Sequence, residues 1–258
     1  ENLKFSHIDN LCSSDSYIIC VGSSIYNNAL DDRQLNSALN KIFEVIKPNQ
    51  HIYLRSTVPI GYCRSLVDRY NIPTEKDHYS SQGPFLSFVP ERTIEGDALN
   101  ELKEIPQVIG SLTSYGMKRA IQFWGEASSS IIECDSIEEA EAVKLISNSY
   151  RDLTFGFSNF IALTCEDFNI DTNNLIRRAN EGYPRNNIPL PSPGVGGYCL
   201  TKDPLLFEMS SQKLPRILSK AREINNLAAL TPIRAYENWI MNKNFKKPIK
   251  VLVLGLAF

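Results

Sequence analysis

The chain has 258 residues, 43% of them hydrophobic, and 27 basic against 29 acidic side chains leave a formal charge of −2. That is enough apolar surface for a core in one or two domains, and the near-neutral balance leaves no electrostatic footprint for nucleic acid or an anionic membrane. No apolar run approaches transmembrane length and no signal-peptide pattern opens the sequence, while six scattered cysteines with only three histidines argue against a metal site and for a reducing cytoplasm.

The first third alternates strand-like and helix-like segments. Residues 17–22 form a short apolar run ending in glycine, as a buried mid-sheet parallel strand would. Leu35, Leu39, Ile42, Val45 and Ile46 fall on one helical face over residues 32–47, and Pro48 stops the helix. Residues 51–57 predict the next strand, with a turn into a helix at 58–61. Residues 85–89 and 106–110 predict two more. Strands separated by helices imply a parallel α/β sheet.

The character changes near residue 136. Residues 137–168 contain no proline and only Gly156, which predicts one very long helix, with Ser136 as N-cap and Glu139 closing a capping box. Such a helix suits a spine or a homodimer seam. Asp171 caps a second helix to residue 181, a Pro- and Gly-rich loop follows, and residues 214–241 read as one further helical stretch. Residues 249–254 read as a buried strand opening a new βα unit. Both termini look like cuts through a longer protein.

The densest chemistry lies at Gly194-Val195-Gly196-Gly197-Tyr198-Cys199-Leu200-Thr201-Lys202-Asp203. The glycines let backbone N–H groups approach an anion. Lys202 would favour a thiolate at Cys199, and Asp203 would serve a proton or a water. Isolated, a Gly-Gly-x-Cys is more often a turn with a buried thiol; the clustering of Cys, Lys and Asp reverses that. On the long helix, Glu141, Lys144, Asn148 and Arg151 share a stripe, either an oxyanion-binding face or a solvated one. Glu91 and Glu95 follow a strand, and the Ser56 and Thr57 hydroxyls sit where one ends, which is where open α/β sheets bind ligands. Arg185 would suit a diphosphate.

These segments, in this order, resemble the nucleotide-sugar dehydrogenase family. The carriers are Ile19-Cys20-Val21-Gly22, Ser56-Thr57-Val58-Pro59-Ile60-Gly61, residues 90–96, the Lys144-x-x-x-Asn148 pair, residues 194–203 and residues 251–258. Pro90-Glu91-Arg92-Thr93-Ile94-Glu95-Gly96 and Asn148-Ser149-Tyr150-Arg151 are similar to the UDP-N-acetylhexosamine branch. The resemblance implies an α/β fold. A partial Rossmann-like parallel sheet domain (1–135) precedes a central all-helical domain with the spine helix (136–230) and the first strand of a second Rossmann-like domain (231–258). It also implies NAD as cofactor, with twofold oxidation of a UDP-sugar C6 alcohol through a thiohemiacetal and a thioester on the cysteine. UDP-N-acetylmannosamine is the favoured substrate, ahead of UDP-N-acetylglucosamine or UDP-glucose. Catalytic roles fall to Cys199, Lys144, Asn148, Asp203 and Glu91. Ser23, Thr57, Glu95 and Lys202 would meet NAD, and Arg151, Arg185, Gly194, Gly196 and Gly197 the UDP-sugar. The family's G-x-G-x-x-G turn is not in this sequence, and Ser23-Ser24 stands where the family has Thr-Pro. The competing readings are a 3-hydroxyacid dehydrogenase, which shares a Lys-x-x-x-Asn pair, and a non-catalytic core fragment.

Overall fold

The structure, a computed structural model, describes all residues except 1–3, 28, 79, 95, 212, 244–248 and 255–258. The chain divides into two compact units, Glu1–Ile146 and Ser147–Phe258.

The first unit is an α/β sheet. In chain order it contains β1 (Ser16–Ile19), β2 (Ser24–Tyr26), β3 (Ala29–Asp31), α1 (Arg33–Val45), β4 (His51–Leu54), α2 (Tyr62–Tyr70), β5 (Phe85–Phe88), α3 (Ala98–Glu104), β6 (Gln107–Ser111), α4 (Ser114–Gly125) and β7 (Ile131–Glu133). The five-stranded sheet runs β1-β4-β5-β6-β7, and β2 with β3 forms a separate hairpin. β4 and β5 are buried along their whole length, as expected of central parallel strands covered on both faces. α1 packs Leu35, Ala38, Leu39 and Ile42 into the core beside Ile52, Leu54, Leu86 and Phe88.

Two expectations are corrected here. β1 is an edge strand among the described residues: it pairs only with β4, and Ile18 is 47% exposed. β6 is antiparallel to β5, although β1, β4 and β5 are mutually parallel and β6 is parallel to β7. The intervening α3 therefore does not act as a crossover, and apolar periodicity carries no information on strand direction.

His51 sits at 0% exposure between aromatic rings, stacked on Tyr53 at 4.1 Å, with Nε2 2.8 Å from the Ser87 hydroxyl. Burial, helped by the nearby Arg119 charge, holds its pKa down to about 3. The unfolded chain takes up this proton near pH 6.5 and the folded chain does not until about pH 3. Stability is therefore highest above pH 6.5 and falls as the pH drops, by about 2 kcal/mol at pH 5. Urea unfolding at pH 7 and pH 5 should show this loss, and His51→Phe should flatten it. An unchanged slope in the variant would assign the acid sensitivity elsewhere.

The spine helix α5 (Ile137–Phe168) spans 32 residues, as its sequence predicts. The Ser136 hydroxyl accepts from the Glu139 N–H at 3.1 Å, but Glu139 returns its carboxylate to the Asp135 N–H at 2.7 Å, one residue beyond the expected capping box. Glu141 turns inward. Its fully buried carboxylate accepts from the N–H groups of Gly61 (2.6 Å) and Cys63 (2.8 Å), capping α2. Burial raises its pKa, and those two hydrogen bonds oppose the rise. It is a structural cap rather than part of a ligand-facing stripe. Gly110 of β6 lies against the start of α5: an added Cβ would stand 2.6 Å from the Ser136 carbonyl oxygen and 2.7 Å from Ile137 Cα.

The second unit is helical. After α5 come α6 (Thr172–Asn180), α7 (Gly197–Leu200), α8 (Asp203–Met209), α9 (Ile217–Ala228) and α10 (Thr231–Lys243). Asp171 caps α6 as expected, its side chain accepting from the Asn174 N–H. Gly156 admits α9 closely, because a Cβ there would lie 3.0 Å from that of Ala221. The single helical stretch expected over 214–241 is two helices. Pro232, which has no N–H and would clash with the preceding turn, restarts the chain as the second residue of α10. Residues 249–254, expected as a strand, form none with any described residue, and residues 251–254 are exposed. Without a partner ladder their backbone is better served by water. The glycine turn expected at Gly255 lies outside the described residues.

Candidate active site

In the first unit the site follows from strand register. Ile19 pairs with Leu54 and Leu54 with Phe88, so the three parallel strands end on one edge. The loops after them emerge together, as in the ligand crevice of open α/β sheets. The Ser56 hydroxyl donates to the Val21 carbonyl at 2.7 Å and ties two of these loops. Ser23 is buried at 4% exposure and Thr57 is half-buried. This rim fits one side of a dinucleotide, while the Gly-rich pyrophosphate turn is not supplied by this sequence. Glu95 lies outside the described residues.

Glu91 is already engaged. Arg55, itself buried over the Trp124 ring at 4.5 Å, donates to its carboxylate at 2.5 Å, and the Thr93 N–H donates to the other oxygen at 2.8 Å. Burial pushes the Glu91 pKa up, but the Thr93 and Arg55 contacts outweigh it and hold it below the usual range. An ion-paired carboxylate of this kind is a weak base. The backbone carbonyl of Glu91 accepts from Lys144 Nζ at 2.5 Å, which fixes that ammonium at the crevice edge.

In the second unit, α5 and the start of α8 bring three expected residues together. Asn148 Nδ2 donates to Asp203 Oδ2 and Lys202 Nζ to Asp203 Oδ1, both at 2.6 Å. Asn148, Lys202 and Asp203 are 8%, 5% and 0% exposed. Asp203 takes only one of the two amide protons of Asn148. Lys202 also lies over the Tyr198 ring at 5.2 Å. Cys199 is exposed on α7, one turn before this cluster, and its carbonyl accepts from the Lys202 N–H at 3.2 Å. Gly197 opens α7 at φ +77°, a conformation that favours glycine. Gly194 and Gly196 have open space where a side chain would be.

Arg151 is exposed and joins none of these contacts. Arg185 stacks over Tyr183 at 4.4 Å and bonds its hydroxyl at 2.9 Å, on the wall of a 260 Å³ cavity shared with Phe157 and Pro189. Sequence reasoning missed Asp152, Ser158, Asn159, Arg222 and Asn225, all buried polar residues of the second unit. Their signal was polar residues spaced along otherwise apolar helix faces.

Among the described residues, no helix is long and apolar enough to cross a membrane, and no group of three or more His, Cys, Asp or Glu is arranged to hold a metal ion.

Comparison with known proteins identifies two family domains in the chain. Residues 1–126 match the NAD binding domain of the UDP-glucose/GDP-mannose dehydrogenase family, and residues 138–227 match its central domain. The UDP-N-acetyl-D-mannosamine dehydrogenase of Methanocaldococcus jannaschii is 30% identical over 250 residues, 95% of this chain and 55% of that protein. The NDP-N-acetyl-D-galactosaminuronic acid dehydrogenase of Ralstonia nicotianae is 28% identical, over 95% of this chain and 58% of that protein. The solved UDP-D-ManNAc dehydrogenase from Pyrococcus horikoshii superposes with a TM-score of 0.82 at 25% identity, over 94% of this chain and 57% of that one. The chain thus spans a little over half the length of the relatives it matches. It belongs to the UDP-glucose/GDP-mannose dehydrogenase family and carries that family's NAD-binding and central domains.

Proposed function

We propose that this chain forms the nucleotide-binding and catalytic core of a UDP-N-acetylhexosamine 6-dehydrogenase, with UDP-N-acetylmannosamine the favoured sugar, working in the reducing cytoplasm. The observation that carries this reading is the buried Asn148–Asp203–Lys202 cluster directly after an exposed Cys199. The division at residues 135 and 230 into nucleotide, helical and second nucleotide domains belongs to the same proposal.

Bound NAD would supply the hydride acceptor for both oxidations. Ser23, Thr57, Glu95 and Lys202 are the residues assigned to hold it. Between the oxidations the Cys199 sulfur adds to the C6 aldehyde carbon, and the carbonyl oxygen takes a proton to complete the thiohemiacetal. The second oxidation leaves a thioester, and water cleaves its C–S bond to release the carboxylate and restore the thiol. Lys144 and Asn148 supply N–H donors for the oxyanions that form on the way. Glu91 and Asp203 are the carboxylates assigned to the water; Glu91 is the more accessible and, ion-paired to Arg55, would orient the water rather than deprotonate it strongly, while the fully buried Asp203 chiefly orients Asn148 and Lys202. Arg151, Arg185 and the Gly194, Gly196 and Gly197 backbone are assigned to the UDP-sugar. UDP-N-acetylglucosamine or UDP-glucose would enter by the same chemistry.

The test is NADH production with each UDP-sugar, together with alkylation mapping. UDP-sugar should protect Cys199 and leave the exposed Cys12 and Cys20 labelled. Cys199→Ser should form no carboxylate. Full activity in that variant would instead favour 3-hydroxyacid dehydrogenase chemistry, and absence of saturable NAD binding would favour a non-catalytic core.

A homodimer along α5 is part of the proposal. Tyr150, Phe157, Phe160 and Phe168 are 53–70% exposed, and their spacing sets them on one helix face, a stripe suited to a second copy. Sedimentation equilibrium should give twice the chain mass; a monomer would end the idea.

A further inference from the structure

The segment leading into the cysteine helix is held at two points by residues outside the set assigned above. Asn159 on α5 bridges Ser192 in both directions: Nδ2 donates to its carbonyl and Oδ1 accepts from its N–H, each at 2.9 Å. Three residues on, Arg222 of α9 donates through Nη2 to the Val195 carbonyl at 2.5 Å. Asn159 is 1% exposed and Arg222 7%.

Both anchors are themselves fixed. Arg222 Nη1 donates to Asp152 Oδ1 at 2.6 Å and Nε to Asn226 at 3.2 Å. Asn225 Nδ2 donates to the same Asp152 oxygen at 2.8 Å, and Asn225 Oδ1 accepts from Asn159 at 2.8 Å. One buried network thus joins α5 to α9 and extends two arms to a single loop. For stability alone, apolar side chains would serve as well as this buried ion pair. What they could not do is hold a main-chain carbonyl and a main-chain N–H at fixed points. The need is clear from the loop itself: at Gly194 and Gly196 nothing lies within 4 Å of the point a Cβ would occupy, so this backbone is free to wander unless pinned.

We propose that Asn159 and Arg222, backed by Asp152 and Asn225, are positioning residues that pin residues 192–195 and so aim Cys199 at the sugar. This rests on the reading of Cys199 as the nucleophile. Arginine is required because its planar fork reaches three acceptors at once. A lysine would keep the charge beside Asp152 but lose the arm to Val195.

The test uses Arg222→Lys and Asn159→Ala, with hydrogen exchange of residues 191–198 read by mass spectrometry. Alkylation of Cys165, buried in the same unit, reports whether the fold is intact. Exchange in the segment should rise about tenfold or more in both variants, with Cys165 still protected. In the form of the protein that turns over UDP-sugar, kcat should fall while the KM for NAD stays unchanged. Unchanged exchange in Arg222→Lys, or faster exchange with kcat unaltered, overturns the proposal. A Cys199→Ala variant that kept its activity would refute the nucleophile reading instead, and the exchange maps would be unaffected by it.

Discussion

Replacing Asp203 with alanine is expected to cost the second unit about 3–5 kcal/mol. The reason is what the carboxylate leaves behind. Lys202, 5% exposed, would keep a buried ammonium with no counter-charge at 2.6 Å, and Asn148 would lose the acceptor that orients its amide. Asp203→Asn should be milder, because an amide oxygen can still accept one of the two hydrogen bonds. The double variant Asp203→Leu, Lys202→Met removes both charges and should recover most of the loss, since a buried ion pair replaced whole by apolar groups is often neutral. Urea unfolding of the parent, Asp203→Leu, Lys202→Met and the double variant, followed by circular dichroism, closes the cycle. A loss in the double variant equal to the sum of the two single losses would show that the pair is not coupled. If the double variant folds and still oxidises UDP-sugar at the parent rate, Asp203 and Lys202 have no part in the reaction.

Gly110→Ala should destabilise the first unit by about 1–3 kcal/mol, and larger side chains should prevent it from forming. The new methyl would stand 2.6 Å from the Ser136 carbonyl oxygen and 2.8 Å from Ala140 Cβ. Two of its three nearest neighbours are main-chain atoms of the α5 start, so no rotamer change relieves the clash. The whole N-terminal turn of α5 must move, and with it the Glu141 cap on α2. Gly125→Ala is the control, because its nearest atom is a side-chain carbon at 3.8 Å. Matched melting curves for the two variants would show that the approach of β6 to α5 is not tight.

Much of this is legible in the sequence. α1, α5 and α6 follow from apolar spacing, from uninterrupted helix-forming residues and from capping at Asp171. β4 and β5 follow from continuous apolar runs. The direction of β6 is not legible, because a strand of four or five residues reads the same either way. The break before Pro232 does carry a signal, since a proline in a helical pattern usually marks a boundary. Apolar spacing on both sides of it hides that signal. The hairpin of β2 and β3 escapes notice because its strands are three residues each, although Asn27 at φ +50° is an ordinary turn residue. In the site, spacing puts Lys144 and Asn148 on one helix, but no spacing rule says that Asn148 meets a carboxylate 55 positions on. Asp152, Asn159, Arg222 and Asn225 show as polar positions on apolar helix faces, but their network is hidden for the same reason, since their partners are distant in sequence.

The reversal at β6 has a geometric result. Since β6 and β7 run against β4 and β5, the chain leaves β7 at the edge of the sheet away from the loops that hold Ser56 and Glu91. α5 must then travel back along the sheet. Lys144 is seven residues into the helix, about 10 Å at 1.5 Å per residue, close to the roughly 13 Å that a four-residue strand spans. The helix therefore works as a ruler, and its Lys144 ammonium arrives at the Glu91 carbonyl. With β6 parallel to β5, the same helix would start beside the crevice and carry Lys144 away from it.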